Sequence, residues 1–198
     1  MNDSREIWNM SQKVVFAIAF LLVALVAFSC GKSSNTIVEP SVTVELIGNS
    51  SFEVNGMFTL NGWSLFLAPP AVSVKDAPPG GGTWSLAIDG ENGVIPFGYV
   101  KFTVPAPVGI HIYKFSVWTK CGDSTGVGGT ASMVLDGVDT IYVVNVFHVS
   151  DMAWTLQSAI DTLKTISGDS LQVCLAGAWS EPIFDRTLFD LVKLEVIK

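Results

Sequence analysis

Trp118 is the aromatic residue whose neighbours best equip it for surface chemistry. In the run Tyr113-Lys114-Phe115-Ser116-Val117-Trp118, period-two alternation sets Tyr113, Phe115 and Val117 on one face. Lys114, Ser116 and Trp118 fall on the other. An indole beside an ammonium and a hydroxyl is the mixture that a sugar ring needs. A pyranose stacks its polarised C–H groups on an aromatic face, while its hydroxyls require polar partners close by. Tyr99 and Lys101 repeat the pattern on another stretch, and Gln172 alternates with Leu171 and Val173 so as to point outward. Trp179, in Gly177-Ala178-Trp179-Ser180-Glu181-Pro182, would flank such a site from a loop. Trp118, Lys114, Tyr99, Gln172 and Trp179 are therefore the candidate carbohydrate contacts. The competing expectation is that covering segments bury both sheet faces and make these aromatics core. That is the expectation for Trp63, Trp84 and Trp154.

Catalytic chemistry finds little support. The two histidines, His111 and His148, each fall inside a strand pattern with no serine or cysteine nucleophile motif nearby. Gly80-Gly81-Gly82 lacks the Lys-Ser/Thr of a phosphate loop. Cysteine spacing for zinc is absent. Asp136 and Asp139 flank a turn and read as turn formers, and a glycosidase would need two carboxylates facing each other across a cleft. The expectation is a protein without catalytic activity. Its formal net charge of -7 argues against nucleic acid, which calls for a basic footprint.

The elements that must position these residues are strands. Alternating runs cover Val42 to Leu46, Trp84 to Ile88, Tyr99 to Val104, His111 to Lys120 and Ala131 to Leu135. They continue over Ile141 to Val149, Trp154 to Ile160, Ser170 to Ala176 and Phe189 to Ile197. Turn signals at Asp89-Gly90, Asp136-Gly137 and Ser167-Gly168-Asp169 separate them. No segment past residue 30 has sustained helical periodicity. About nine short strands at regular spacing point to an all-β, antiparallel sandwich. Cys121 and Cys174 allow either a disulfide or two buried thiols, because spacing alone does not place their Cα atoms.

The order of these segments resembles the jelly-roll carbohydrate-binding modules of the galactose-binding-domain-like superfamily, in particular the family 4/9/22 type. Asn49-Ser50-Ser51-Phe52-Glu53 followed by Asn61-Gly62-Trp63 is similar to their opening. Gly82-Thr83-Trp84-Ser85-Leu86 fits the next strand, and Tyr113 to Lys120 fits the "Y-x-x-S-x-W-x-K" strand. Leu188-Phe189-Asp190-Leu191-Val192 looks like the closing strand, with Leu191 replacing a second acidic residue. The resemblance implies a jelly roll that binds carbohydrate. It also implies a structural calcium held by Glu53 and Asp190, with backbone carbonyls supplying the other ligands. The alternative for these two residues is a turn cap and a solvated carboxylate.

The start of the chain resembles a lipoprotein signal peptide. Arg5 and Lys13 precede an apolar run from Val14 to Phe28, about 15 residues, too short to span a bilayer. Val26-Ala27-Phe28-Ser29-Cys30 is similar to a lipobox, which implies removal of residues 1–29 and lipidation of Cys30 with palmitate-type acyl chains. Gly31 after the cysteine is similar to outer-membrane sorting. The domain reading is then a signal peptide over 1–29, a flexible tether over 30–41 and a β-sandwich over 42–198. The expected protein is an outer-membrane lipoprotein that binds carbohydrate and serves an envelope hydrolase or transporter. The alternative is a structural or adhesive module making protein contacts.

Overall fold

The structure, a computed structural model, describes residues 43–66, 71–89, 99–122, 128–138, 141–177 and 186–197. Thirteen strands and no helix occur among them. The first six are short: β1 (Thr43–Glu45), β2 (Glu53–Val54), β3 (Met57–Phe58), β4 (Ser64–Phe66), β5 (Ala71–Val74) and β6 (Ser85–Ile88). The frame is built by β7 (Tyr99–Pro105), β8 (Gly109–Cys121), β9 (Thr130–Asp136), β10 (Ile141–His148), β11 (Thr155–Thr165), β12 (Ser170–Ala176) and β13 (Thr187–Ile197). The strands β2 to β5 carry two to four residues each, too few for alternation to announce them.

All pairings are antiparallel. One sheet runs β11-β8-β13-β6-β5, with β1 also on β13; the second runs β10-β9-β12-β7-β4; β2 and β3 form a separate ribbon. Leu171, Val173 and Leu175 of β12 stand in register with Leu135, Met133 and Ala131 of β9. On their other side lie Val104, Phe102 and Val100 of β7. These inner residues share one core with Tyr113, Phe115 and Val117 of β8 and with Leu194 and Val196 of β13. Full burial of each such side chain contributes about 1.5–3 kcal/mol. Phe115 stacks on Phe147 of β10 at 5.3 Å, joining the two sheets. Trp63 is core as expected: its ring packs between Phe52 and Phe102, and its Nε1 donates to the Asn49 carbonyl at 3.0 Å. Trp84 and Trp154 are half-buried instead, donating to the Gly56 carbonyl and to Asp76.

Cys121 and Cys174 are not joined to each other in the structure. Cys121 shares the inward parity of Tyr113, Phe115 and Val117 at the end of β8 and belongs to the core. Cys174 lies between the buried Val173 and Leu175 and so faces the outside of the other sheet. A bridge needs Cβ atoms about 4 Å apart, whereas packed sheets stand about 10 Å apart.

Candidate functional site

The outer face of the five-stranded sheet carries an open groove of about 440 Å³. Its floor is the outward row of β12, with β9 and β7 on either side and Ile141 of β10 at one edge. Register aligns the lining residues into rows across the strands. Thr130, Ala176, Tyr99 and Phe66 form one row, and Ser132, Cys174, Lys101 and Ser64 the next. Val134 and Gln172 follow, and Asp136 closes the groove. Tyr99 stacks on Phe66 with centroids 4.7 Å apart, and the Lys101 ammonium lies over the Phe66 ring at 5.9 Å. Gln172 Nε2 donates to Asp136 Oδ2 at 2.7 Å, fixing an amide and a carboxylate as one polar pair. An aromatic platform therefore stands at one end and hydrogen-bonding groups at the other. Burial raises the Tyr99 phenol, and the nearby Cys174 thiol adds to that. Burial pushes Cys174 itself up to about 11, against the pull of Lys101. A thiol so placed is largely protonated at neutral pH and is a slow nucleophile.

Trp118 and Lys114 occupy a different surface. Both stand on the outer face of the six-stranded sheet, where Lys114 lies 3.6 Å from Glu195 and Trp118 neighbours Leu156 of β11. The expected set of contacts is thus divided: Tyr99 and Gln172 share the groove, whereas Trp118 and Lys114 face the opposite way. Trp179 and Cys30 lie outside the described residues.

Glu53 and Asp190 do converge, on the turn from Pro78 to Gly82. A Cβ on Gly81 would collide with Asp190 Oδ2, and one on Gly82 with Glu53 Oε2. Glu53 Oε2 accepts the Thr83 N–H at 2.8 Å, the turn-capping role. Asp190 is fully buried rather than solvated; its Oδ1 accepts the Leu191 N–H at 2.7 Å, and its Oδ2 has no hydrogen-bond partner among the described residues. Burial, with Glu53 adding to it and the Leu191 N–H opposing, raises Asp190 from 3.8 to about 7. Phe52 and Leu191, each next to one carboxylate, have φ of 55° and 45°. Left-handed backbone at bulky residues costs about 1–3 kcal/mol and persists only where the surroundings impose it. A buried, unpartnered carboxylate oxygen beside a second carboxylate fits a hard cation. Two side-chain ligands are too few for calcium, so main-chain oxygens and water would complete the shell. Among the described residues no group of three or more His, Cys, Asp and Glu gathers to hold a metal.

No protein-family model matches the sequence, and no curated protein does. Solved structures do match in shape. The CBM22-1 xylan-binding domain of Paenibacillus barcinonensis Xyn10C superimposes with a TM-score of 0.57 at 15% identity, over 81% of this chain and 99% of that one. A family 16 carbohydrate-binding module gives 0.50 at 19% identity, over 71% and 96%. The enzymatically active domain of bacteriophage CBA120 tailspike protein 4 gives 0.56 at 12% identity over 78% of this chain, which spans only 22% of the tailspike domain. The fold is that of the jelly-roll carbohydrate-binding modules. At these identities the fold is what the chains share.

Within this jelly roll, several residues in or beside the groove escaped sequence reasoning. Phe66 belongs to β4, a strand of three residues, and only its register against Tyr99 makes it part of a platform. Asp136 reads as a turn former, yet its side chain turns back to Gln172. Ser132 and Cys174 carried the alternation signal of outward positions, but nothing in sequence order says that their strands are adjacent.

Proposed function

We propose that this chain is a lipid-anchored envelope protein whose jelly roll binds carbohydrate, without catalysis, in the groove of the five-stranded sheet. One observation carries the reading: Tyr99, backed by its stack on Phe66, and the Gln172–Asp136 pair line a single open groove. The platform takes the C–H face of a sugar, and Lys101, Ser132, Gln172 and Asp136 address its hydroxyls. An open groove admits the interior of a polysaccharide as readily as an end. Catalysis is not supported by the lining: Asp136 is the one carboxylate among its described residues, held by Gln172, whereas glycoside hydrolysis calls for a facing pair. The resemblance in fold to modules of family 22 and family 16 supports the same reading.

Glu53 and Asp190 are assigned to a structural Ca²⁺, which would satisfy Asp190 Oδ2 and pin the Pro78–Gly82 turn to β13. Lipid on Cys30 would hold the module at the outer membrane. There it would raise the local concentration of glycan for a hydrolase or transporter. The compartment is tested by globomycin and labelled palmitate: label absent, or unchanged in Cys30→Ala, removes the anchor from the reading. The site is tested by titrating the mature chain with a broad glycan set in calcium. Related glycans should bind, and Tyr99→Ala should abolish the signal while Trp118→Ala retains it. A folded protein that binds none, or that ignores Tyr99→Ala, overturns the assignment.

A further inference from the structure

We infer that the glycan is acidic, with a uronate carboxylate or a sulfate ester seated against Lys101; this rests on the reading of the groove as a carbohydrate site.

Lys101 is the one cation among the described residues that line the groove. Its situation differs from that of the basic side chains elsewhere. Lys114 pairs with Glu195, Lys120 with Asp76 and Arg186 with Asp89. Lys101 has no such carboxylate partner among the described residues. Its ammonium lies over the Phe66 ring instead, 5.9 Å from the centroid. An aromatic face attracts a cation through its quadrupole and leaves the charge in place. Lys101 is also half-buried, so water and salt screen that charge less than at an open surface. Its field reaches the groove floor, where it pulls the Cys174 thiol down against the effect of burial. The thiol keeps its proton at neutral pH and supplies no counter-charge. Register sets Ser64 on one side of Lys101 and Cys174 on the other, with Ser132 beyond. A positive charge among neutral hydroxyl and thiol groups is a seat for one anionic substituent, which would accept charge-assisted hydrogen bonds from the ammonium.

The carboxylate of the groove stands too far away to cancel this charge. Lys101 is opposite Cys174, and Asp136 is opposite Ser170, four residues further along β12. Four residues span about 13 Å, and the two strand spacings from β7 to β9 add about 10 Å across. The two Cα atoms are thus roughly 16 Å apart, twice the screening length of about 8 Å at physiological salt. Asp136 is in addition held by Gln172. The groove is therefore positive at the Tyr99 end and negative at the other. A ring stacked on Tyr99 lies two residues from Lys101 on the same face, about 7 Å, within reach for its own acidic group or its neighbour's. The Asp136 end calls for a neutral sugar. The fitting ligand alternates acidic residues with neutral ones, and a uniformly charged polymer fits less well. A chain of net charge -7 repels polyanions at long range, so such binding would come from the groove and not from a generally basic surface.

The test uses the full chain in a non-ionic detergent and matched pairs of glycans, by isothermal titration. Chondroitin against carboxyl-reduced chondroitin reads a uronate. Keratan sulfate against desulfated keratan reads a sulfate ester. The expected result is a preference of about tenfold for the charged member of at least one pair at 20 mM salt, shrinking toward one at 500 mM. Which pair responds identifies the anion. Lys101→Met should bring the ratio to about one, Lys101→Arg should keep it, and Lys164→Met, on the other sheet, should leave it unchanged. Equal affinity within both pairs, a preference indifferent to salt, or one that survives Lys101→Met overturns the acidic ligand and leaves the groove reading standing. The same holds if both pairs are silent while a neutral glycan binds and is lost in Tyr99→Ala. A folded chain that binds no glycan at all, charged or neutral, overturns the groove reading and the acidic ligand with it.

Discussion

Removing calcium should make this domain lose stability as pH rises, and the loss should trace to Asp190. Its carboxyl is fully buried, with one oxygen unpartnered and Glu53 nearby, and it titrates near 7 rather than 3.8. A group that holds its proton more tightly folded than unfolded stabilises the fold below its unfolded value, and that contribution disappears as pH passes the folded value. At 1.36 kcal/mol per pH unit, the difference between 3.8 and about 7 amounts to ~4 kcal/mol at most. Integrated over the experimental window, roughly 3 kcal/mol of it is lost between pH 5 and pH 8. For a domain of about 155 residues this lowers the melting midpoint by roughly 5–10 °C. The assay is thermal unfolding from pH 5 to 8 in EDTA and in calcium, for the wild type and Asp190→Asn. The amide keeps the shape and cannot ionise, so its midpoint should vary less across the window, by that margin. Calcium should restore the wild type at pH 8 and leave Asp190→Asn unmoved, because binding to the folded state alone stabilises by mass action. Equal pH slopes for both proteins in EDTA would show that the buried carboxylate does not carry the charge assigned to it. An EDTA melt identical to the calcium melt would reject the cation.

Three further outcomes follow from the geometry. Tyr99→Ala should weaken glycan binding at least tenfold, about 1.4 kcal/mol, by isothermal titration, with the melting curve little changed because Tyr99 is only half-buried. Cys174 should react with iodoacetamide at pH 8 roughly 200-fold more slowly than a free thiol of ordinary acidity. That rate should climb tenfold per pH unit toward its value of about 11, and a bound glycan should protect the thiol. Phe115→Ala, which empties the core between the sheets and removes the stack on Phe147, should cost about 3–5 kcal/mol in urea denaturation at an unchanged m-value.

The strands that frame the molecule were legible because alternation is a local property. His111 to Lys120, Ser170 to Ala176 and Ile141 to Val149 each repeat every two residues, and all three are strands within a residue or two of those limits. The inward and outward parity of Tyr113, Lys114, Gln172 and Tyr99 followed from the same signal. The short strands β2 to β5 were not legible, since they exist through pairing and not through their own pattern. Phe66 stayed hidden for that reason, and Asp136, at the end of β9, because it reads as a turn former.

What the sequence by itself determined is which side chains leave each strand toward water and that the strands build an antiparallel sandwich, while the jelly roll was implied by the resemblance of its segment order. Parity and turn chemistry are written in neighbouring residues. Only the tertiary structure decided which strands share a sheet, and so which outward residues meet. β7, β9 and β12 lie together and gather Tyr99, Lys101, Asp136 and Gln172, while β8 takes Trp118 and Lys114 to the far side. The same assembly kept Cys121 from Cys174 and drove Asp190 against Glu53. Strand order depends on contacts between residues distant in the chain, where register and sheet packing act and local periodicity carries no information.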